Sequence, residues 1–283
     1  MSLDAATVLL QWSTGGLLFL WVTTRRREVG IGYGWLLRAV YLLMAVGAVA
    51  AGWALEPVPV RDVAAAGVAL AAGVALAVSV VRRRAGVRGE RDRQERRSAR
   101  VAAMTGIDRQ VAVVDRDVPE FPPGLDLVAP VIGVVGLVAA GLDAGGSPAL
   151  AVLRTLVGAA FLGAVSDAML LGHWYLVQPG LARSPLLELV RWVTVLWPIE
   201  VVALLLPTGM PQVLSGSIDD GYGGLLGWFW VACAVTTLVL CVLTRAALRE
   251  RYYSAVMAAT GLLYLAILTA FGTDLVARAV LAG

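Results

Sequence analysis

Residues Ala160–Glu200 read AFLGAVSDAMLLGHWYLVQPGLARSPLLELVRWVTVLWPIE, and this stretch decides the fold class. Two apolar runs flank a short polar turn at Pro179-Gly180. Each run is long enough to cross a bilayer as a helix, which takes about 20 residues at about 1.5 Å rise per residue. The same hairpin carries Asp167, the chain's only histidine (His173), Glu188, Arg191 and Glu200. A charge at the centre of a helix in hydrocarbon costs at least about 2.5–3.5 kcal/mol, so these groups should turn inward and find partners.

Counting outward from the turn brings Asp167 and Arg191 to nearly equal depth, with His173 and Glu188 in a shallower layer. Glu188 and Arg191 are three residues apart and share a helix face. The expectation is an Asp167–Arg191 ion pair one turn below a His173–Glu188 contact. Such an arrangement is either a fixed structural clamp or a proton- or ion-responsive site, because imidazole changes charge near physiological pH.

The rest of the chain agrees with a membrane-spanning reading. It has 283 residues, 59% apolar and 15% charged, with mean hydropathy +0.80. Soluble domains average about 25% charged residues. Apolar windows mark spans near 5–24, 34–55, 62–81, 126–143, 149–175, 185–206, 223–245 and 253–275. The expected fold is therefore all-α, a polytopic bundle of about eight transmembrane helices. It forms a single transmembrane domain over 1–283, with an Arg-rich loop at 82–124.

All 23 basic residues are arginine, in a chain of net charge +3. Arg25–Arg27, Arg82–Arg84, Arg183, Arg245, Arg249 and Arg251 all fall in loops on one predicted side. The positive-inside rule makes that side cytoplasmic and both termini external. The expected location is a bacterial cytoplasmic (inner) membrane. The MSLDAAT start lacks a basic region and a small-residue cleavage site follows nowhere near, so the first span should be retained.

Residues 82–100 hold nine arginines against Glu90, Asp92 and Glu95. Basic clusters beside a membrane are attracted to anionic lipid by about 1 kcal/mol per residue, and Arg82, Arg83 and Arg84 are the expected lipid contacts. No aromatic residue lies between 82 and 120, which argues against nucleic-acid binding.

A second candidate site is Trp197-Pro198-Ile199-Glu200. Pro198 removes a backbone donor inside the sixth span, which should kink it and free a carbonyl near a carboxyl and an indole. Asp274 reads as interfacial, and Asp219-Asp220-Gly-Tyr as a solvated turn. Cys233 and Cys241 are too far apart along one helix for a disulfide. No metal site, catalytic motif or cofactor is expected. Trp35-Leu-Leu-Arg38 and Leu187-Glu-Leu-Val-Arg191 hint at two four-helix halves in parallel repeat.

The function expected from these features is transporter-like: protons, ions or a small solute moving through a polar site between helices five and six. The alternative is a non-transporting anchor or subunit of a respiratory or envelope complex, holding a quinone or lipid headgroup. Expected partners are the bilayer, anionic lipids, and a second copy or a partner membrane subunit.

Overall fold

The computed structural model describes residues 4–89, 119–178, 181–250 and 252–281, together with 92, 95, 96, 98, 99 and 103. Eight long helices occupy these residues, and no strand occurs among them. They are α1 (Ala5–Thr24), α2 (Ile31–Ala54), α3 (Pro59–Val81), α4 (Val128–Asp143), α5 (Pro148–Val177), α6 (Ser184–Leu205), α7 (Leu225–Arg249) and α8 (Tyr253–Val280).

Their starts follow local chemistry. The Asp4 carboxylate accepts the N–H groups of Ala6 and Thr7, both at 3.1 Å, and so caps α1. Pro59 and Pro148 open α3 and α5, where a missing backbone donor costs nothing.

Every long helix except α6 is apolar and long enough to cross a membrane. α6 has 22 residues but carries Glu188, Arg191 and Glu200. The chain is a multi-pass helical membrane bundle. Its outer faces expose Leu43, Val63, Leu70, Val131, Leu265 and Leu268, as suits side chains in contact with lipid.

The helices pack as two rings of four. In the first, α1, α2, α3 and α4 touch in sequence and α4 returns to α1. In the second, α5, α6, α7 and α8 do the same, with α8 returning to α5. The rings meet where α1 lies against α5, with α4 also touching α5. This seam is a backbone-to-backbone contact. A Cβ on Gly15 would run into the Ala159 carbonyl, and one on Gly163 into the backbone of Gly15. Lipid tails are as apolar as leucine, so close packing of this kind, and not expulsion of water, holds such helices together.

Arginines collect at one end of the bundle. There Glu188 is bound by Arg25 and Arg26, Arg27 pairs with Glu120, and Arg82 donates to the Glu120 carbonyl at 3.0 Å. Arg83 and Arg84 are exposed in a short turn, Arg82–Ala85. Residues 104–118 of the 82–124 loop and the Pro179-Gly180 turn lie outside the described residues.

The opposite end carries both described chain ends and the loop between α6 and α7. A short helix, Met210–Leu214, interrupts that loop. The Asp220 carboxylate then accepts the N–H groups of Gly224, Tyr222 and Leu226 at 2.8–2.9 Å. These bonds, the one from Gly224 foremost, hold its carboxyl below the usual carboxylate range. A depressed value contributes stability above the unfolded value, near pH 4, and that contribution fades as pH falls through the folded value. At neutral pH, Asp220→Ala is therefore expected to speed amide exchange across 220–226. The difference from wild type should begin to shrink below about pH 4 and close only below the folded value. An unchanged exchange rate at neutral pH would show that Asp220 does not order the loop.

Candidate functional site

Asp167 sits two-thirds of the way along α5 and is fully buried. The Tyr41 hydroxyl, from α2, donates to its Oδ1, while Oδ2 has no partner. The Tyr33 hydroxyl reaches the Asp167 backbone carbonyl at 3.4 Å. Tyr33 and Tyr41 are eight residues apart, about two turns, and so present one face of α2 to α5. Gly16 of α1 makes room, because a Cβ there would strike the Tyr41 ring. Beside Asp167, Ser166 accepts the Trp12 indole N–H at 2.8 Å.

The Asp167–Arg191 pair expected from the hairpin does not form. Arg191 is exposed on α6, in a cavity shared with Glu188, Arg245 and Arg249. The His173–Glu188 contact is absent too. Glu188 is held by Arg25 and Arg26, while His173 is exposed with Nδ1 3.0 Å from the Tyr264 hydroxyl. Counting residues from a turn fixes depth but not direction. α5 is surrounded, so its partners come from α1, α2 and α8 as readily as from α6.

The Trp197-Pro198-Ile199-Glu200 group also separates. The Trp197 indole donates to the Ala234 carbonyl of α7 at 2.8 Å, Pro198 is exposed, and only Glu200 points inward.

Glu200 belongs to a second buried centre, nearer the end that carries Asp4 and Leu281. Within α8, Arg278 Nε donates to Asp274 Oδ2 at 2.7 Å, and both side chains are enclosed. Asp274 is thus not interfacial. α8 runs on to Val280, past the expected end at 275, and the bundle covers the extra turn. The charges facing Glu200 are Asp274, then Arg278, then Arg154. From α1, Gln11 Nε2 donates to the Thr155 carbonyl at 2.7 Å.

These groups meet over Gly158 of α5. A Cβ there would lie 2.7 Å from Asp274 Oδ1, 3.0 Å from Gln11 Nε2 and 3.2 Å from Arg278. Both Glu200 oxygens, Asp274 Oδ1 and Gln11 Oε1 are buried and accept no N–H among the described residues, the Glu200 and Asp274 carboxyls lying close enough to share a proton, and one Arg278 nitrogen has no acceptor. Buried polar groups are nearly always satisfied, so this concentration of bare oxygens suits a proton, a cation or ordered water.

Arg154 links this centre to the surface. It donates to the Ala203, Leu206 and Thr208 carbonyls at 2.9–3.1 Å, satisfying the C-terminal end of α6. It also lines a cavity of about 310 Å³ between Gly145, Ser147, Pro207 and Leu281.

Two further charge clusters look like fasteners. Near the arginine-rich end, Arg38 makes a two-bond contact with Asp126 at 2.8 and 2.7 Å, and its guanidinium lies 4.1 Å from the Phe121 ring centre. Near the other end, Arg61 binds Asp4 and, at 2.8 Å, Asp62. Among the described residues no three His, Cys, Asp or Glu side chains converge on a metal position. Cys233 and Cys241 are buried and free.

Comparison with protein-family models, with curated proteins and with solved structures returned no match to this chain.

Proposed function

We propose that the protein is a transporter that moves protons, or a solute coupled to them, along the seam where α1 meets α5. The observation that carries this reading is Asp167: a carboxyl enclosed within α5, bonded by a tyrosine, with one oxygen free and no ion pair among the described residues. An ionisable group at membrane depth is expensive and marks an ion or proton pathway by default. It needs a proton, a cation or penetrating water to remain there.

Two neighbouring features support a path. The Glu200–Asp274–Gln11 centre lies between Asp167 and the cavity at Arg154, so carboxyl groups occur at two depths. Tyr41 and Tyr33 extend the polar line from Asp167 toward the arginine-rich end.

The membrane is a bacterial cytoplasmic membrane, with the arginine-rich end inside. The pairing of arginines supports this orientation. Arg61, Arg154 and Arg278 at the opposite end are buried against carboxylates or carbonyls, while Arg83, Arg84 and Arg191 are exposed.

Purified protein in liposomes loaded with a pH-sensitive dye tests the reading. An imposed pH gradient should drive dye response above that of empty liposomes. Asp167→Asn should return it to the empty-liposome rate, and Tyr41→Phe should slow it about 10²-fold, the usual contribution of a positioned proton donor. Unchanged flux in both Asp167→Asn and Glu200→Gln would refute the proposal.

A further inference from the structure

At the arginine-rich end, α6 and α7 part to leave a cavity of about 710 Å³. Its lining includes Arg26, Glu188, Arg191, Trp192, Arg245 and Arg249. Glu188 is the one carboxylate among these six, and Arg25 and Arg26 already bind it. Arg191, Arg245 and Arg249 are exposed, and among the described residues none of the three forms an ion pair. Three guanidinium groups from two helices thus surround one space whose one lining carboxylate, Glu188, is already bound by Arg25 and Arg26.

The cavity is amphipathic along the membrane normal. Arg249 ends α7 and Arg245 lies one turn inside it. Arg191 lies seven residues into α6, about 10 Å from its start. Deeper still, Trp192 and Val195 form an apolar floor, 38% and 47% exposed. Beyond that floor the same two helices expose Ile199, Val239 and Val242. A cationic rim over an apolar wall that continues into lipid-facing side chains is complementary to one kind of molecule.

We propose that this groove binds the phosphate headgroup of an anionic lipid, with an acyl chain lying over Trp192 and Val195. Guanidinium forks match phosphate oxygens two at a time, which a passing monovalent anion does not use. The apolar floor favours a lipid over free phosphate, because a soluble anion gains nothing from it. The site is distinct from Arg82–Arg84, of which Arg83 and Arg84 are exposed on a turn and Arg82 donates to the Glu120 carbonyl. It does not depend on the transport reading.

Native mass spectrometry of the protein in a neutral detergent tests the proposal, with phosphatidylglycerol, phosphatidylcholine and inorganic phosphate added separately. Phosphatidylglycerol should bind at least about tenfold tighter than phosphatidylcholine, and R191Q/R245Q should weaken it about thirtyfold. R83Q/R84Q should leave it nearly unchanged. If R191Q/R245Q does not fold, R249Q at the exposed helix end should still weaken binding about fivefold. Equal binding of the two lipids, or full binding by the arginine variants, would overturn the proposal. So would inorganic phosphate displacing phosphatidylglycerol at equal concentration, which would make this a soluble-anion site.

Discussion

Replacing Arg38 with methionine is expected to destabilise the bundle by about 3–5 kcal/mol, the usual cost of stranding one member of a buried ion pair. Arg38 and Asp126 are almost wholly enclosed, at 3% and 1% side-chain exposure, and share two hydrogen bonds. Removing the guanidinium leaves the Asp126 carboxylate with only the Thr24 hydroxyl, at 3.3 Å. The Phe121 ring also loses the cation that lies over it. Replacing both partners with apolar residues of similar volume, Arg38→Met with Asp126→Leu, should recover most of that loss, because no charge remains in the core. Thermal unfolding in detergent reads the comparison. A double variant as unstable as the sum of the single variants would show that the two side chains act separately.

Arg278 is expected to matter as much, with a different pattern. It is the cation nearest to two buried acids, Asp274 and Glu200. Arg278→Met leaves both without it and should also cost about 3–5 kcal/mol. Asp274→Asn should cost much less, about 1 kcal/mol, because Glu200 remains to face the guanidinium. In an ordinary one-to-one pair the two substitutions would cost similar amounts. Equal losses for Arg278→Met and Asp274→Asn would therefore argue that Glu200 takes no part in the cluster.

The helices were legible because an apolar run of about 20 residues has few fates other than a membrane span. The buried acids Asp167 and Glu200 were legible for the same reason: their cost in hydrocarbon forces them inward. Their partners were not. Tyr41 lies 126 residues from Asp167 in the chain, and nothing local to the Ala160–Glu200 hairpin points to it. The depth count brought Arg191 level with Asp167, yet azimuth turns Arg191 outward into the α6–α7 cavity.

Arg61, Arg154 and Arg278 stand within a few residues of the ends of the apolar windows at 62–81, 149–175 and 253–275, where an arginine can reach water. Each is in fact drawn into the bundle by a specific acceptor. One signal was available in the sequence. Asp274 and Arg278 are four residues apart, the spacing that sets two side chains together on one helix face. Asp126 for Arg38 had no such signal, since the pair joins residues 88 apart.

The most direct test of a proton-carrying Asp167 is infrared difference spectroscopy of the protein in lipid across a pH jump. The expected spectrum contains a protonated-carboxyl stretch that shifts in heavy water, vanishes in Asp167→Asn and moves in Tyr41→Phe. Identical carboxyl spectra for wild type and Asp167→Asn would contradict the central claim, because Asp167 would then exchange no proton.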